Sequence, residues 1–135
     1  MQLVQVKLKT TIVQGSDSET FEFNEQGQLE ENDGKIILNY RESGTIPVRI
    51  ATTGNKVELL RGVKPSNYSK LLFAVGQSAT AEYVVDGNAM DISTKTKSIR
   101  RSQPDERSEQ ILIEYDLYAA TNLIGNYFFQ LIFTK

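Results

Sequence analysis

The sequence predicts an all-β protein, folded as an antiparallel barrel of about eight to ten strands. Along nearly the whole of the 135-residue chain, hydrophobic residues recur at every second position, which places them on one face of a strand. Turn-forming residues separate these alternating segments at regular intervals, as they do in antiparallel sandwiches and barrels. No segment keeps a 3.6-residue period over three turns, so no helix is predicted.

The first half of the chain contains five alternating segments that are predicted as strands. Their bounds are residues 3–13, 19–24, 35–42, 45–53 and 56–61, and glycine-containing turns separate them. In the second of these strands Phe21 and Phe23 are expected to point inward. The fourth contains Pro47, which lacks a backbone N–H, so that strand is expected to lie at a sheet edge or to carry a bulge.

The second half begins with a predicted loop over residues 62–69 and continues with five further strands. Their bounds are residues 70–75, 79–85, 89–101, 109–119 and 124–134. Val85 and Met90 are expected to point inward on either side of the hairpin turn at Asp86-Gly87. The segment 102–108 is predicted as a loop, because it is polar and contains a proline.

The length and composition predict a single globular domain over residues 1–135, and the composition excludes several kinds of catalytic and binding site. The chain has no histidine, cysteine or tryptophan, which excludes Ser-His and Cys-His nucleophiles, disulfides and thiolate metal sites. A formal charge of −2 gives no general attraction for nucleic acid or anionic lipid. No segment predicts a signal peptide or a membrane-spanning helix. We therefore expect a cytoplasmic protein, and the sequence specifies no catalytic residue, metal, cofactor or membrane partner.

Two charged residues fall on the inward-facing positions of neighbouring strands. In segment 35–42, every second residue is expected to point inward, and the last of these positions is Glu42. In segment 56–61, the last inward position is Arg61. Because an isolated buried charge is costly, the two side chains should pair or lie at the barrel mouth. Arg61 would then anchor a carboxylate or phosphate with Glu42 holding it in place, or the pair would be purely structural.

Hydroxyl-bearing residues also fall on inward positions of several strands. They are Tyr40, Tyr83, Tyr115, Tyr127, Thr94 and Thr96, with Thr52 in the same phase. A barrel of this size can hold one small ligand against apolar walls that carry a few polar groups. It can equally be filled by side chains, with the hydroxyls bonded to the backbone, and the sequence leaves both readings open.

The acidic residues outside this set are interpreted as solvated. Glu114 and Asp116 lie two apart on the outward face of a strand, and nothing supplies a third metal ligand. A second acidic group lacks calcium-loop spacing and is interpreted as a turn. Its members are Glu25, Glu30, Glu31 and Asp33.

One local basic run occurs late in the chain. It consists of Lys95, Lys97, Arg100 and Arg101. Single-stranded nucleic acid would require exposed aromatic residues beside such a run, and the outward positions offer few. A solvated face or the rim of an oligomer interface is therefore favoured over nucleic-acid binding.

The order of several short motifs resembles one family over almost the whole chain. These motifs are Tyr40-Arg41-Glu42, Val57–Arg61-Gly62, Leu72-Phe73, Glu82-Tyr83, Asp86-Gly87 and Tyr115-Asp116-Leu117. They resemble the YwiB-like family of small bacterial proteins of unknown function. The resemblance implies a calycin-like, that is lipocalin-like, β-barrel and a bacterial cytoplasmic setting, and it implies no established activity.

Three functions remain open from the sequence. The first is a non-enzymatic binder of a small amphipathic or anionic molecule in the barrel interior, with Arg61 as the anchor. The second is a self-associating scaffold with a filled barrel, which would use outward apolar residues such as Ile37, Phe128 and Ile132. The third is an enzyme that uses Glu42, Arg61 and a tyrosine.

Overall fold

The computed structural model describes all of residues 1–135 and contains only β-strands and turns. The first six strands are β1 (Gln2–Gln14), β2 (Asp17–Asn32), β3 (Lys35–Glu42), β4 (Ile46–Thr53), β5 (Lys56–Val63) and β6 (Asn67–Ala74). The other five are β7 (Ser78–Val85), β8 (Asn88–Ala89), β9 (Ile92–Asp105), β10 (Ser108–Ala119) and β11 (Asn122–Thr134). The prediction of an all-β protein is confirmed.

Ten of these strands close into an antiparallel barrel. Each strand from β1 to β7 pairs with the next, β7 pairs with β9, and β9, β10 and β11 follow in order. Pairing of β11 with β1 completes the ring, and the two-residue β8 pairs with β7 alone. The predicted antiparallel barrel is therefore confirmed, and its neighbours in space are almost all neighbours in sequence.

Side chains fill the centre of the barrel. Alternate residues of every long strand point inward and form one core of 22 buried hydrophobic residues. The largest fully buried members include Phe73, Phe133, Leu38, Ile50 and Leu131. Of the two readings that the sequence leaves open for the interior, the packed core is the one observed.

Several strands extend further than the sequence predicts. β2 covers residues 17–32 and therefore includes Glu25, Glu30 and Glu31, which were expected in a turn; only Asp33 lies in one. The predicted loop 62–69 shrinks to a turn between β5 and β6, and the predicted loop 102–108 to a turn at Glu106-Arg107. Polar residues, glycine and proline are frequent in these segments, so the alternation that reveals a strand is weak there, although Leu29 of β2 lies in the core.

Three apolar residues that were expected inside are exposed. Phe21 is 45% exposed, Val85 40% and Met90 46%, although their phase along the chain is inward. Each lies beyond the packed core, where the inward face of the strand meets solvent rather than another side chain.

Pro47 does not mark a sheet edge. β4 pairs with β3 on one side and β5 on the other, and Pro47 lies opposite Arg41 of β3. Pairing with β5 begins only at Val48, so the proline sits at the start of the strand before the second ladder forms. This position tolerates a residue without a backbone N–H, which corrects the prediction of an edge strand or a bulge.

Candidate functional site

Five adjacent strands place one inward residue each at the same level near one end of the barrel. The strand register aligns Tyr40 with Val48, Val48 with Arg61, Arg61 with Ser69, and Ser69 with Tyr83. Facing residues on paired antiparallel strands lie about 5 Å apart, so the row forms a continuous arc. It combines one cation with three hydroxyl groups at the mouth of the barrel.

Glu42 and Arg61 form the ion pair that the sequence predicts. Arg61 donates from Nε and from Nη2 to the same Glu42 oxygen, Oε2, at 2.8 and 2.6 Å. Glu42 is 3% exposed, whereas the Arg61 side chain is 47% exposed. The carboxylate therefore holds the inner edge of the guanidinium, and Nη1 at its outer end is left without a protein partner.

The Tyr40 hydroxyl lies buried behind this pair and has no hydrogen-bond partner. Burial raises the pKa of Tyr40 above its ordinary value, and the nearby negative charge of Glu42 raises it further. Arg61 acts in the opposite direction and is outweighed. Tyr40 is thus a neutral hydroxyl throughout the physiological pH range.

A cavity of about 460 Å³ opens in front of Arg61. Arg61, Ser69 and Tyr83 all line it, and the remaining wall is largely apolar. The apolar lining residues are Ile46, Pro47, Val63, Tyr68, Val84 and Val85. We call this the mouth cavity; it presents one incompletely bonded guanidinium among apolar and hydroxyl-bearing side chains.

Gly62 shapes the wall of the mouth cavity next to Arg61. Its φ is +91°, and a Cβ atom placed there would lie 2.2 Å from the backbone oxygen of Asn67. Only glycine permits this close approach of β5 to β6, so the turn that follows Arg61 depends on it. Asn67 in turn accepts a hydrogen bond from the backbone N–H of Asp86 through Oδ1 at 3.1 Å, which ties β6 to the end of β7.

The remaining predicted tyrosines belong to the core rather than to the cavity. The Tyr115 ring lies 4.6 Å from that of Phe73 and 5.0 Å from that of Tyr127, centroid to centroid. Burial is the main cause that raises the pKa of Tyr115 and of Tyr127, and their proximity to Tyr83 adds to it. Neither ring lines the mouth cavity, and the cluster supports Tyr83 from the inside.

The two predicted threonines bond to the backbone of β6. Thr94 donates from Oγ1 to the Leu72 carbonyl at 2.8 Å, and the Thr96 hydroxyl accepts from the Ala74 N–H at 3.2 Å. These bonds join β9 to β6 where only the short β7 separates them. The structure therefore separates Thr94 and Thr96 from Arg61, while Glu42, Tyr40 and Tyr83 stay beside it.

Ser69 and Tyr68 are cavity residues that the sequence did not single out. Both fall within the segment predicted as a loop, so no inward phase was assigned to them. Ser69 lies two positions before Leu71, an inward residue of the predicted strand 70–75. Extending the alternation of that strand backward by two residues would have predicted that Ser69 points inward.

Asp116 is buried, which corrects its interpretation as a solvated residue. It is 7% exposed although it points outward, because Asn126 and Lys97 cover it. Asn126 donates from Nδ2 at 2.5 Å, and Lys97 Nζ lies 3.3 Å away. The residue thus fastens β10 to both neighbouring strands.

Other surface features do not assemble into a site. No group of three or more aspartates and glutamates is arranged to hold a metal ion. Ile37 lies on β3, two strands from β1, whereas Phe128 and Ile132 lie on β11 beyond it, so these apolar residues do not form one patch. No helix of the structure could cross a membrane.

Comparisons with known proteins agree with this architecture. A model of the family described as "Domain of unknown function (DUF1934)" matches residues 6–131. The crystal structure of the ywiB protein from Bacillus subtilis is similar, with a TM-score of 0.83 and 21% sequence identity over 98% of this chain and 90% of that one. No curated protein matches. The resemblance to YwiB-like proteins is confirmed, and at this identity the structural likeness concerns the fold.

Proposed function

Because this chain belongs to the DUF1934 family, whose function is unknown, we propose a function from the site itself: it binds a small anionic, amphipathic molecule in the mouth cavity. In this proposal the protein is a non-enzymatic binding module of the calycin-like type, acting in the bacterial cytoplasm. The ligand lies at the mouth, since the centre of the barrel is occupied by core side chains.

The single observation that supports this proposal most is the geometry of Arg61. Glu42 accepts from Nε and Nη2, so the guanidinium is held in one orientation, while Nη1 has no protein partner and the half-exposed side chain lines the cavity. A guanidinium end presents two parallel N–H donors, which suit a carboxylate or phosphate. Ser69 and Tyr83 occupy the next two strands and offer hydroxyls to the same anion.

The size and lining of the mouth cavity favour a ligand with an apolar body. Its volume of about 460 Å³ lies in the range of small-molecule sites, and apolar walls with a few polar groups are typical of them. A bare inorganic anion would leave these apolar walls uncovered.

The alternative of an enzyme that uses Glu42, Arg61 and a tyrosine has less support. A general acid or base must reach its substrate, but the Oε2 atom of Glu42 is bonded twice to Arg61 and the residue is buried. Tyr40 is likewise buried behind the pair.

The test is a ligand screen followed by titration of the purified chain. We expect amphipathic carboxylates or phosphate esters to raise the melting temperature, as any ligand that binds only the folded state must. The double variant Glu42→Gln/Arg61→Met removes the anchor without leaving a buried charge, and we expect it to lose the stabilisation. Arg49→Met, on the outward face of β4, is the matched control and should keep it. Failure of every anionic ligand, or equal binding by the double variant, would overturn the proposal.

A further inference from the structure

Two strands of the barrel run past their neighbours and leave unpaired edges. β2 pairs with β1 along Asp17–Leu29, but β3 reaches it only from Gly27 onward, so residues 17–26 have an open edge. β9 pairs with β7 only through Ile92–Lys95, and Thr96 adds two backbone bonds to Gly76 and Gln77. Residues 97–105 therefore have an open edge as well, with β10 on the other side.

The two open edges bound the same sheet. The five longest strands lie in the order β9, β10, β11, β1, β2, so one open edge lies on each side of this five-stranded unit. An open edge presents unpaired N–H and C=O groups and is a template for another strand. Residues 17–22 and 100–105 are all exposed, so nothing in the protein covers these groups.

The charges on the two edges are opposite in sign. The β2 edge carries Asp17, Glu19, Glu22 and Glu25 and no cation, whereas the β9 edge carries Lys97, Arg100 and Arg101. Asp105 is the one acid of the β9 edge, and its carboxylate is bonded to the turn through the Arg107 N–H. Neither the four acids of the β2 edge nor the two arginines of the β9 edge form an ion pair within the chain, whereas Lys97 pairs with Asp116.

We infer that the partner of each edge is a second copy of this chain, with the acidic β2 edge of one molecule adding to the basic β9 edge of the next. In an antiparallel register that places Glu19 opposite Arg100, Glu22 lies opposite Lys97. Pairing of two β2 edges would instead oppose acid to acid, which is destabilising. Because the two surfaces differ, the contact is head-to-tail and forms open chains or rings.

Sedimentation velocity of the full chain tests this contact directly. We expect the average mass to rise with protein concentration at low ionic strength and to fall back towards the monomer when salt is added. A monomer at every concentration in low salt overturns the inference.

Charge-reversal variants identify the edges. Glu19→Lys/Glu22→Lys removes the net negative charge of the β2 edge, and Arg100→Glu/Arg101→Glu makes both edges acidic, so each variant alone should be monomeric. Their equimolar mixture should associate again, because opposite edges are then present on different molecules. Glu58→Lys and Lys56→Glu, on β5 with both edges paired, are the matched controls and should associate like the unaltered chain. Association of either double variant alone, or none in the mixture, contradicts the inference.

A second measurement needs no substitution and guards against misfolded variants. Backbone amide hydrogen exchange in residues 17–26 and 97–105 should slow as protein concentration rises, while other exposed turns stay unchanged. Exchange that is independent of concentration in both segments overturns the inference.

Discussion

At the scale of single residues, the buried carboxylate of Glu42 depends on Arg61 for its stability. Removal of one partner from a buried pair costs roughly 3–5 kcal/mol, because the other charge is left buried alone. Arg61 is half exposed, so water can reach part of the site and we expect Arg61→Met to cost less, about 2 kcal/mol. The double variant Glu42→Gln/Arg61→Met should be more stable than Arg61→Met. Urea unfolding measures both, and equal losses would show that Glu42 is not held by this pair.

The hydroxyl of Tyr40 offers a second test at this scale. A buried polar group without a partner costs about 1–3 kcal/mol relative to its hydrated state. Tyr40→Phe removes the group and keeps the ring, so we expect unchanged or higher stability in urea unfolding. Tyr68→Phe, at the half-buried cavity wall, is the control and should change little. A clear loss of stability in Tyr40→Phe would mean that the hydroxyl has a partner in solution.

At the scale of the strand and turn, Gly62 decides whether β5 and β6 can meet beside the site. Gly62→Ala brings a Cβ atom within 2.2 Å of a backbone oxygen that cannot move aside easily. Gly15→Ala also requires positive φ, at +62°, but its Cβ meets nothing within 4 Å. We expect about 1 kcal/mol of destabilisation for Gly15→Ala, from backbone conformation alone, and clearly more for Gly62→Ala. Thermal unfolding of both variants makes the comparison, and equal losses would contradict the described turn.

The strand ends show where reading the sequence succeeds and where it stops. The alternation of apolar and polar residues identifies a strand only where one face of the strand is buried and the other is exposed to solvent. Residues 102–105 of β9 are exposed on both faces, so their sequence resembles a loop although the segment pairs with β10 on one side. The local sequence does not tell whether such an exposed segment is a paired strand or a loop, because the answer depends on how far the neighbouring strands extend.

The candidate site was predictable in part for the same reason. Glu42 and Arg61 stand out because charges on inward positions break an otherwise apolar pattern, and the structure pairs them. Thr94 and Thr96 follow the same inward phase but bond to the backbone of β6. The two-residue alternation therefore predicts which side chains point into the barrel. The register between neighbouring strands decides which group each of these side chains bonds to.

At the scale of the whole molecule, closure of the barrel concentrates the aromatic hydroxyls in one buried region. Tyr40 and Tyr115 are buried on strands that are far apart in sequence, and the packed interior surrounds both. Only the folded barrel removes these phenols from water. Their ionisation should therefore report on the integrity of the entire fold.

Stability should accordingly be sensitive to alkaline pH. In the unfolded chain a tyrosine ionises with a pKa near 10.0, whereas burial raises the pKa of Tyr40 and Tyr115 well above that value in the folded protein. Below pH 10 both states keep the proton and stability is unaffected by these groups. Above it the unfolded chain loses protons that the folded one retains, so the free energy of unfolding falls as pH rises.

Two such groups give a slope of about 2.7 kcal/mol per pH unit at most, which is large against the stability of a typical domain. The free energy of unfolding is measured with urea at a series of pH values. Tyr40 and Tyr115 should leave it unchanged up to about pH 10, and above that pH it should decline steeply. Tyr40→Phe should reduce the slope by up to about 1.4 kcal/mol per pH unit, since it removes one proton that only the folded state retains. Tyr118→Phe, on the outer face of β10, serves as the control. A slope that Tyr40→Phe leaves unchanged would contradict the burial of this phenol behind Glu42 and Arg61.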